Sequence, residues 1–363
     1  MYLITNRKLY ARRSGLEIFG DQPNTDRGPN ELRVVRCERS GRGWTAEILP
    51  DRVTGPRLAE LREVLGLDRD GGEPIYTSTE VAERVMSQAR AEQRNVLLFV
   101  HGYNNEIADA LATARQLERE FNVIPLLFSW PANGGGIRGV ASYLSDKRDA
   151  QLSAPAFSRV LEKVNQLMTR FTRLAIDELA PQLADLAAKS PPGSSDYHEA
   201  RNRLLEAYCP VRLTLLTHSM GNYLLKKTLE TSTNAPYTAA FDNVVLAAAD
   251  TNNLDHRLWV DRLEARRRIY VTINEDDFAL TASRLKPGDR QLARLGHYRR
   301  RLDSEIARYV DFTGADRVGN SHSYFADKAL GNPAVKAFFT AALNGQEAEA
   351  GLQYNLAERL YRV

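Results

Sequence analysis

Cysteine is almost absent from this chain: its 363 residues include two, Cys37 and Cys209. They lie far apart and lack metal-ligand spacing, which excludes a disulfide framework, gives no sign of a zinc site and fits a reducing compartment. Long apolar runs are also missing. No stretch approaches the roughly 20 residues of a membrane span, and the opening Met1-Tyr2-Leu3-Ile4-Thr5-Asn6-Arg7-Lys8 turns polar too soon for a secretory signal. The expectation is a cytoplasmic protein with no integral membrane segment. Nor does one charge dominate: Lys plus Arg is 49 against 46 for Asp plus Glu, a net +3. That near-balance points away from nucleic acid. The arginine triplets 266–268 and 299–301 are read as solvated faces, because no aromatic interleaving accompanies them.

What is present is enough apolar residue, 43%, for a substantial core. Short β-type runs (Tyr2 to Thr5, Leu32 to Arg36, Trp44 to Leu49) suggest a small antiparallel entry within residues 1–90. From Asn95 onward, strand and helix alternate. Apolar runs at Asn95 to Val100, Val123 to Phe128, Leu213 to Thr217, Asn243 to Ala248, Arg268 to Ile273 and Tyr309 to Thr313 predict strands buried on both faces. This order predicts an α/β fold with a mostly parallel sheet covered by helices on both faces. We expect one domain over 1–363, with a core at 91–345 and a helical insertion at 151–208 that is a lid candidate.

The strand Leu213 to Thr217 runs into His218-Ser219-Met220-Gly221, followed by helical spacing in Asn222 to Leu229. This reads as a nucleophile elbow, a strand-to-helix turn that exposes a serine hydroxyl at the sheet edge. Thr217 stands where the usual G-x-S-x-G pattern has its first glycine. Taken alone, Ser219 is equally well read as a helix cap. The strand ending at Val100 continues as His101-Gly102-Tyr103-Asn104-Asn105. In a serine hydrolase site of this order, the backbone N–H groups of Tyr103 and Met220 would face the developing oxyanion. His101, Gly102, Trp130 and the Gly134-Gly135-Gly136 turn are candidates for lining the pocket. The glycine run lacks the Lys-Ser/Thr ending of a phosphate loop.

The base is expected after the last strand. His101 and His198 precede the serine, while His218 adjoins it and is expected to point away from the hydroxyl. His256 and His297 lie too early. His322, in Asn320-Ser321-His322-Ser323-Tyr324, is the best placed. For the acid two strands compete: Asp250 closes one, and Glu275, Asp276 and Asp277 follow the next.

Several patterns together resemble a bacterial family of uncharacterised α/β-hydrolases, DUF900. They are Phe99-Val100-His101-Gly102-Tyr103-Asn104, Phe128-Ser129-Trp130-Pro131, Tyr143-Leu144-Ser145-Asp146, His218-Ser219-Met220-Gly221, Asp277-Phe278-Ala279-Leu280 and His322-Ser323-Tyr324. They span about Asn95 to Phe325, and the opening Leu3-Ile4-Thr5-Asn6-Arg7 is similar too. The resemblance implies the α/β-hydrolase fold, with Asp277 as the acid and His322 as the base; Asp250 and Asp276 are the alternative acids. The expected activity is a serine hydrolase, carboxylesterase- or lipase-like, acting on a small-molecule or lipid acyl substrate, with no cofactor or metal. The rival from another class is a catalytically silent scaffold that binds a partner.

Overall fold

The computed structural model describes all residues except 27, 29–30, 42, 69–70, 104–105, 133–138, 232–237 and 286–291, and the side chains of 139–144. Contacts gather into two compact units, one of residues 1–49, 95–162 and 212–363, the other of 50–94 and 163–211. The expected insertion at 151–208 therefore divides at Glu162, its later part belonging with residues 50–94.

The first unit holds strands β1 (Tyr2–Thr5), β2 (Arg7–Leu9), β3 (Phe19–Pro23), β4 (Arg33–Ser40), β5 (Gly43–Ile48), β6 (Asn95–Val100), β7 (Val123–Ser129), β8 (Leu213–His218), β9 (Asn243–Ala247), β10 (Arg268–Ile273), β11 (Ala307–Asp311), β12 (Gln353–Asn355) and β13 (Leu360–Arg362). Eleven form one sheet in the order β12-β13-β11-β10-β9-β8-β6-β7-β1-β4-β5, and β2 pairs with β3 separately. Its centre is parallel, from β13 through to β1. β4, β5 and β12 pair antiparallel at the two edges. The small antiparallel entry is present, β1 pairing with β4, β4 with β5 and β2 with β3, while the other edge of β1 runs parallel beside β7, Tyr2 opposite Leu126. Every residue of β8 and β9 is buried, as continuous apolar strands between two helical layers must be.

The helix Ile107–Phe121 buries Ile107, Ala110, Leu111, Ala114, Leu117 and Phe121, a stripe at helical spacing, and stops at Asn122 in the left-handed conformation. The helix Pro333–Leu343 starts with proline after Asn332, whose side chain accepts from the Ala334 and Val335 amides. It carries Phe338 and Phe339 onto Phe312 and Tyr324, in edge, stacked and tilted contacts of 5.4–6.1 Å between centroids. These rings form the core beneath the late loops.

The chain crosses back at β8. After β6 it steps outward to β7, then returns to the other side of β6 as β8. Ligands in such sheets bind at the carboxyl ends of the strands where the order reverses. The segments at that point are those after Val100 and after His218.

The second unit is helical, including Pro56–Val64, Thr77–Glu92, Ala180–Lys189 and Ser195–Tyr208. Its core is Val53, Leu61, Leu65 and Ile75, packed by Leu58, Leu67, Phe171 and Leu174. Arg57 bridges Glu60, Glu80 and Glu83. Among the described residues no helix is long and apolar enough to cross a membrane.

Candidate active site

At the end of β8 the backbone of Ser219 turns to φ +53°, a left-handed conformation that side chains larger than glycine rarely adopt. Such strain costs about 1–3 kcal/mol and persists only where the surroundings impose it. They do. The Ser219 N–H donates to the Ala247 carbonyl at 3.0 Å, and its own carbonyl accepts from the Asp250 and Asn222 amides. The Asn222 side chain fastens the turn from inside: Nδ2 is shared among the carbonyls of Thr217, Ser219 and Ala247, and Oδ1 accepts the Thr217 hydroxyl at 2.7 Å. Thr217 is thus a strut where the usual elbow has glycine. Its hydroxyl supplies the bond that orients Asn222.

Two glycines let the elbow and the β6 loop meet. A Cβ at Gly221 would lie 2.8 Å from the His101 carbonyl oxygen, and one at Gly102 would lie 2.6 Å from Ser219 Cβ. Any side chain there forces the two strand ends apart. Tyr103 follows Gly102, and Met220 lies between Ser219 and Gly221 as the first residue of the helix Met220–Thr231, where amides have no intrahelical acceptor.

His101 braces the loop from below. Its Nδ1–H donates to the Gly102 carbonyl at 2.9 Å, so Nε2 accepts from Ser129 Oγ at 3.1 Å. Ser129 in turn accepts from Arg7 Nε at 3.2 Å. Trp130 stacks on the imidazole at 5.6 Å and donates its indole N–H to the His101 carbonyl. Burial, aided by the Arg7 charge, pushes His101 down to about 3, so it stays neutral in this network. His101 and Trp130 have no exposed surface. This corrects the expectation that they line an open pocket: their polar atoms are spent holding the loop. The Gly134-Gly135-Gly136 turn and Asn104 lie outside the described residues.

His322 sits in the loop after β11. Its Nδ1 lies 2.7 Å from Asp277 Oδ2. Asp277 is fully buried, and its other oxygen accepts the Leu280 amide at 3.0 Å, capping the helix Phe278–Leu285. One carboxylate therefore holds both the helix start and the imidazole. Asn274 ties the two loops together by donating to the Gly319 and Ser321 carbonyls. With Nδ1–H turned to the carboxylate, His322 presents Nε2 as an acceptor. Among the described residues the Ser219 hydroxyl makes no hydrogen bond, and so none joins it to His322. Catalytic hydrogen bonds are often long until substrate orders them.

The alternative acids are engaged elsewhere. Asp250 is buried, accepting from Ser283 at 2.6 Å and pairing with Arg294 Nε at 3.0 Å. Asp276 is exposed. His256 bonds the Asn253 carbonyl and the Tyr309 hydroxyl, and His297 bonds Thr281.

His218, expected only to point away from the hydroxyl, has a linking role that its sequence position alone does not announce. Its ring turns toward His322, with centroids 4.6 Å apart, and Nε2–H donates to the His322 carbonyl at 3.0 Å. Phe325 closes the other side at 4.9 Å. Burial first, and then the neighbouring His322, hold His218 well below the usual histidine range. It is a neutral donor that links the serine turn to the histidine loop. The signal was its position beside Ser219, but strand alternation does not fix side-chain direction at a bend.

A doubly covered parallel sheet, with a strained serine turn beside a glycine loop at its reversal point, defines the chain as an α/β-hydrolase. It belongs to the family described as alpha/beta hydrolase of unknown function, DUF900, whose model matches residues 77–173 and 195–341. No curated protein matches the chain in sequence.

Proposed function

We propose that this protein is a serine hydrolase that cleaves a carboxylic ester through Ser219, His322 and Asp277. The observation that carries the reading is the 2.7 Å contact between His322 Nδ1 and the buried Asp277, joined through His218 to the serine turn. His322 Nε2 takes the proton as Ser219 Oγ adds to the acyl carbonyl, and Asp277 stabilises the imidazolium that forms. The amides of Tyr103 and Met220 receive the oxyanion. The alkoxide leaves with the proton from His322, and water, deprotonated by the same nitrogen, releases the acid and regenerates the serine. These steps need no cofactor. Two unpaired cysteines, Cys37 and Cys209, fit a cytoplasmic setting.

The rival reading is a silent scaffold, favoured by the missing bond at the Ser219 hydroxyl. Rapid mixing with a p-nitrophenyl ester separates the two. The hydrolase releases a burst of p-nitrophenolate that approaches the enzyme concentration where deacylation is much slower than acylation, followed by saturable steady turnover. A rate no greater than that of the unfolded chain contradicts it.

A further inference from the structure

A cavity of about 730 Å³ lies against Glu275, Tyr298, the run Arg299 to Asp303, and the turn Ala357 to Arg359. The sequence reading treats Arg299-Arg300-Arg301 as a solvated face. The fold adds a fourth arginine, because β13 pairs parallel with β11, Tyr361 opposite Val310. The turn leading into β13 is thereby set beside the segment leading into β11.

The charges in this cavity do not cancel. Arg299 is occupied by Glu275 at 2.6 Å and Asp311 at 3.3 Å. Glu358 is occupied by Arg362. Arg300, Arg301 and Arg359 are all exposed; the Arg300 carbonyl accepts from Asn253 Nδ2 at 2.9 Å, but none of the three guanidinium groups has a hydrogen-bond or ion-pair partner among the described residues. Asp303 is the one remaining carboxylate of the lining. Three exposed arginines thus line one concavity in which Asp303 is, among the described residues, the one lining carboxylate not already paired, an arrangement that favours an anionic ligand. Two of the three are also held at backbone cost: Arg301 and Arg359 have φ +56° and +57°, where glycine or asparagine is the easier residue.

We infer that this cavity binds the phosphate chain of an oligophosphate-bearing small molecule. Guanidinium forks match phosphate oxygens two at a time, and the volume lies in the usual range for small-ligand sites. A fatty acyl chain is a poor match, since Leu302 and Ala357 are the apolar contributions to the lining. The inference does not rest on the hydrolytic reading.

The test is calorimetric titration of the full chain with inorganic phosphate, pyrophosphate and triphosphate at constant ionic strength. Binding should saturate at one ion per chain and tighten with chain length. The variant R300Q/R301Q/R359Q should lose at least about tenfold in pyrophosphate affinity. The variant R12Q/R13Q/R317Q, which removes the same charge from exposed positions elsewhere, should change it by less than about twofold. Hydrogen exchange of the wild-type chain gives a readout that needs no variant: pyrophosphate should slow exchange in 298–303 and 357–359. A nucleoside triphosphate that binds more tightly than triphosphate assigns the site to a nucleotide; equal binding assigns it to the free oligophosphate. Unsaturable binding, equal losses in the two variants, or protection elsewhere overturns the inference.

Discussion

Replacing Ser219 by alanine is expected to lower ester turnover by on the order of 10⁴-fold or more while leaving thermal stability nearly unchanged. The two halves of this result have separate causes. The nucleophile is lost outright, and groups that act as a unit fail together. Stability survives because the Ser219 hydroxyl makes no hydrogen bond among the described residues, and because the left-handed turn is held by backbone partners and Asn222, all of which remain. Alanine at φ +53° suffers the same strain as serine. Turnover and melting of the purified variant decide it: a loss of activity that tracks a loss of folding would mean Ser219 is a structural residue.

The second large effect is a contrast between two buried aspartates. Asp277→Asn should reduce turnover by about 10⁴-fold, because the amide offers N–H toward His322 Nδ1 and favours the wrong tautomer. Its stability cost should be modest, since the remaining amide oxygen can still accept the Leu280 amide. Asp250→Asn should do the reverse. It removes the Asp250 carboxylate paired with Arg294, 2% exposed, and breaking a buried ion pair costs about 3–5 kcal/mol. The folded fraction of that variant should keep turnover within about tenfold of the parent. Denaturant titration and kinetics on both variants check the pair; a kinetic lesion confined to Asp250→Asn would transfer the acid role to Asp250.

The parallel core was legible because its strands are apolar on both faces and separated by helical spacing. Arg268–Ile273 falls where the sequence places it, whereas β11 begins and ends two residues earlier than expected. Asp311 explains the shift: its carboxylate accepts the Thr313 amide, and Thr313 Oγ1 accepts the Glu275 amide, so the chain turns while its residues are still apolar. Contacts distant in sequence were not legible. Residues 50–94 and 163–211 share a core through Phe171 and Leu174, a pairing that no local pattern announces. Arg359 joins the arginine triplet only because β13 lies beside β11. The side-chain directions of His218 and Asn222 were hidden for a different reason. Both flank the bend at Ser219, His218 as the last residue of β8 and Asn222 in the first turn of the helix Met220–Thr231, where periodicity tells which face is buried but not which groups across the bend a side chain meets, and Thr217 has a purpose only once Asn222 is seen to need its hydroxyl.

The most direct test of the central claim is covalent capture of the nucleophile. A fluorophosphonate reacts with a serine only when a base activates it and donors receive the phosphonyl oxygen. Incubation of the folded protein, followed by intact-mass measurement and peptide mapping, should show one adduct per chain, located on Ser219, absent after unfolding and absent in His322→Ala. A folded protein that stays unlabelled, or that labels equally well with Ser219 replaced by alanine, would contradict the account.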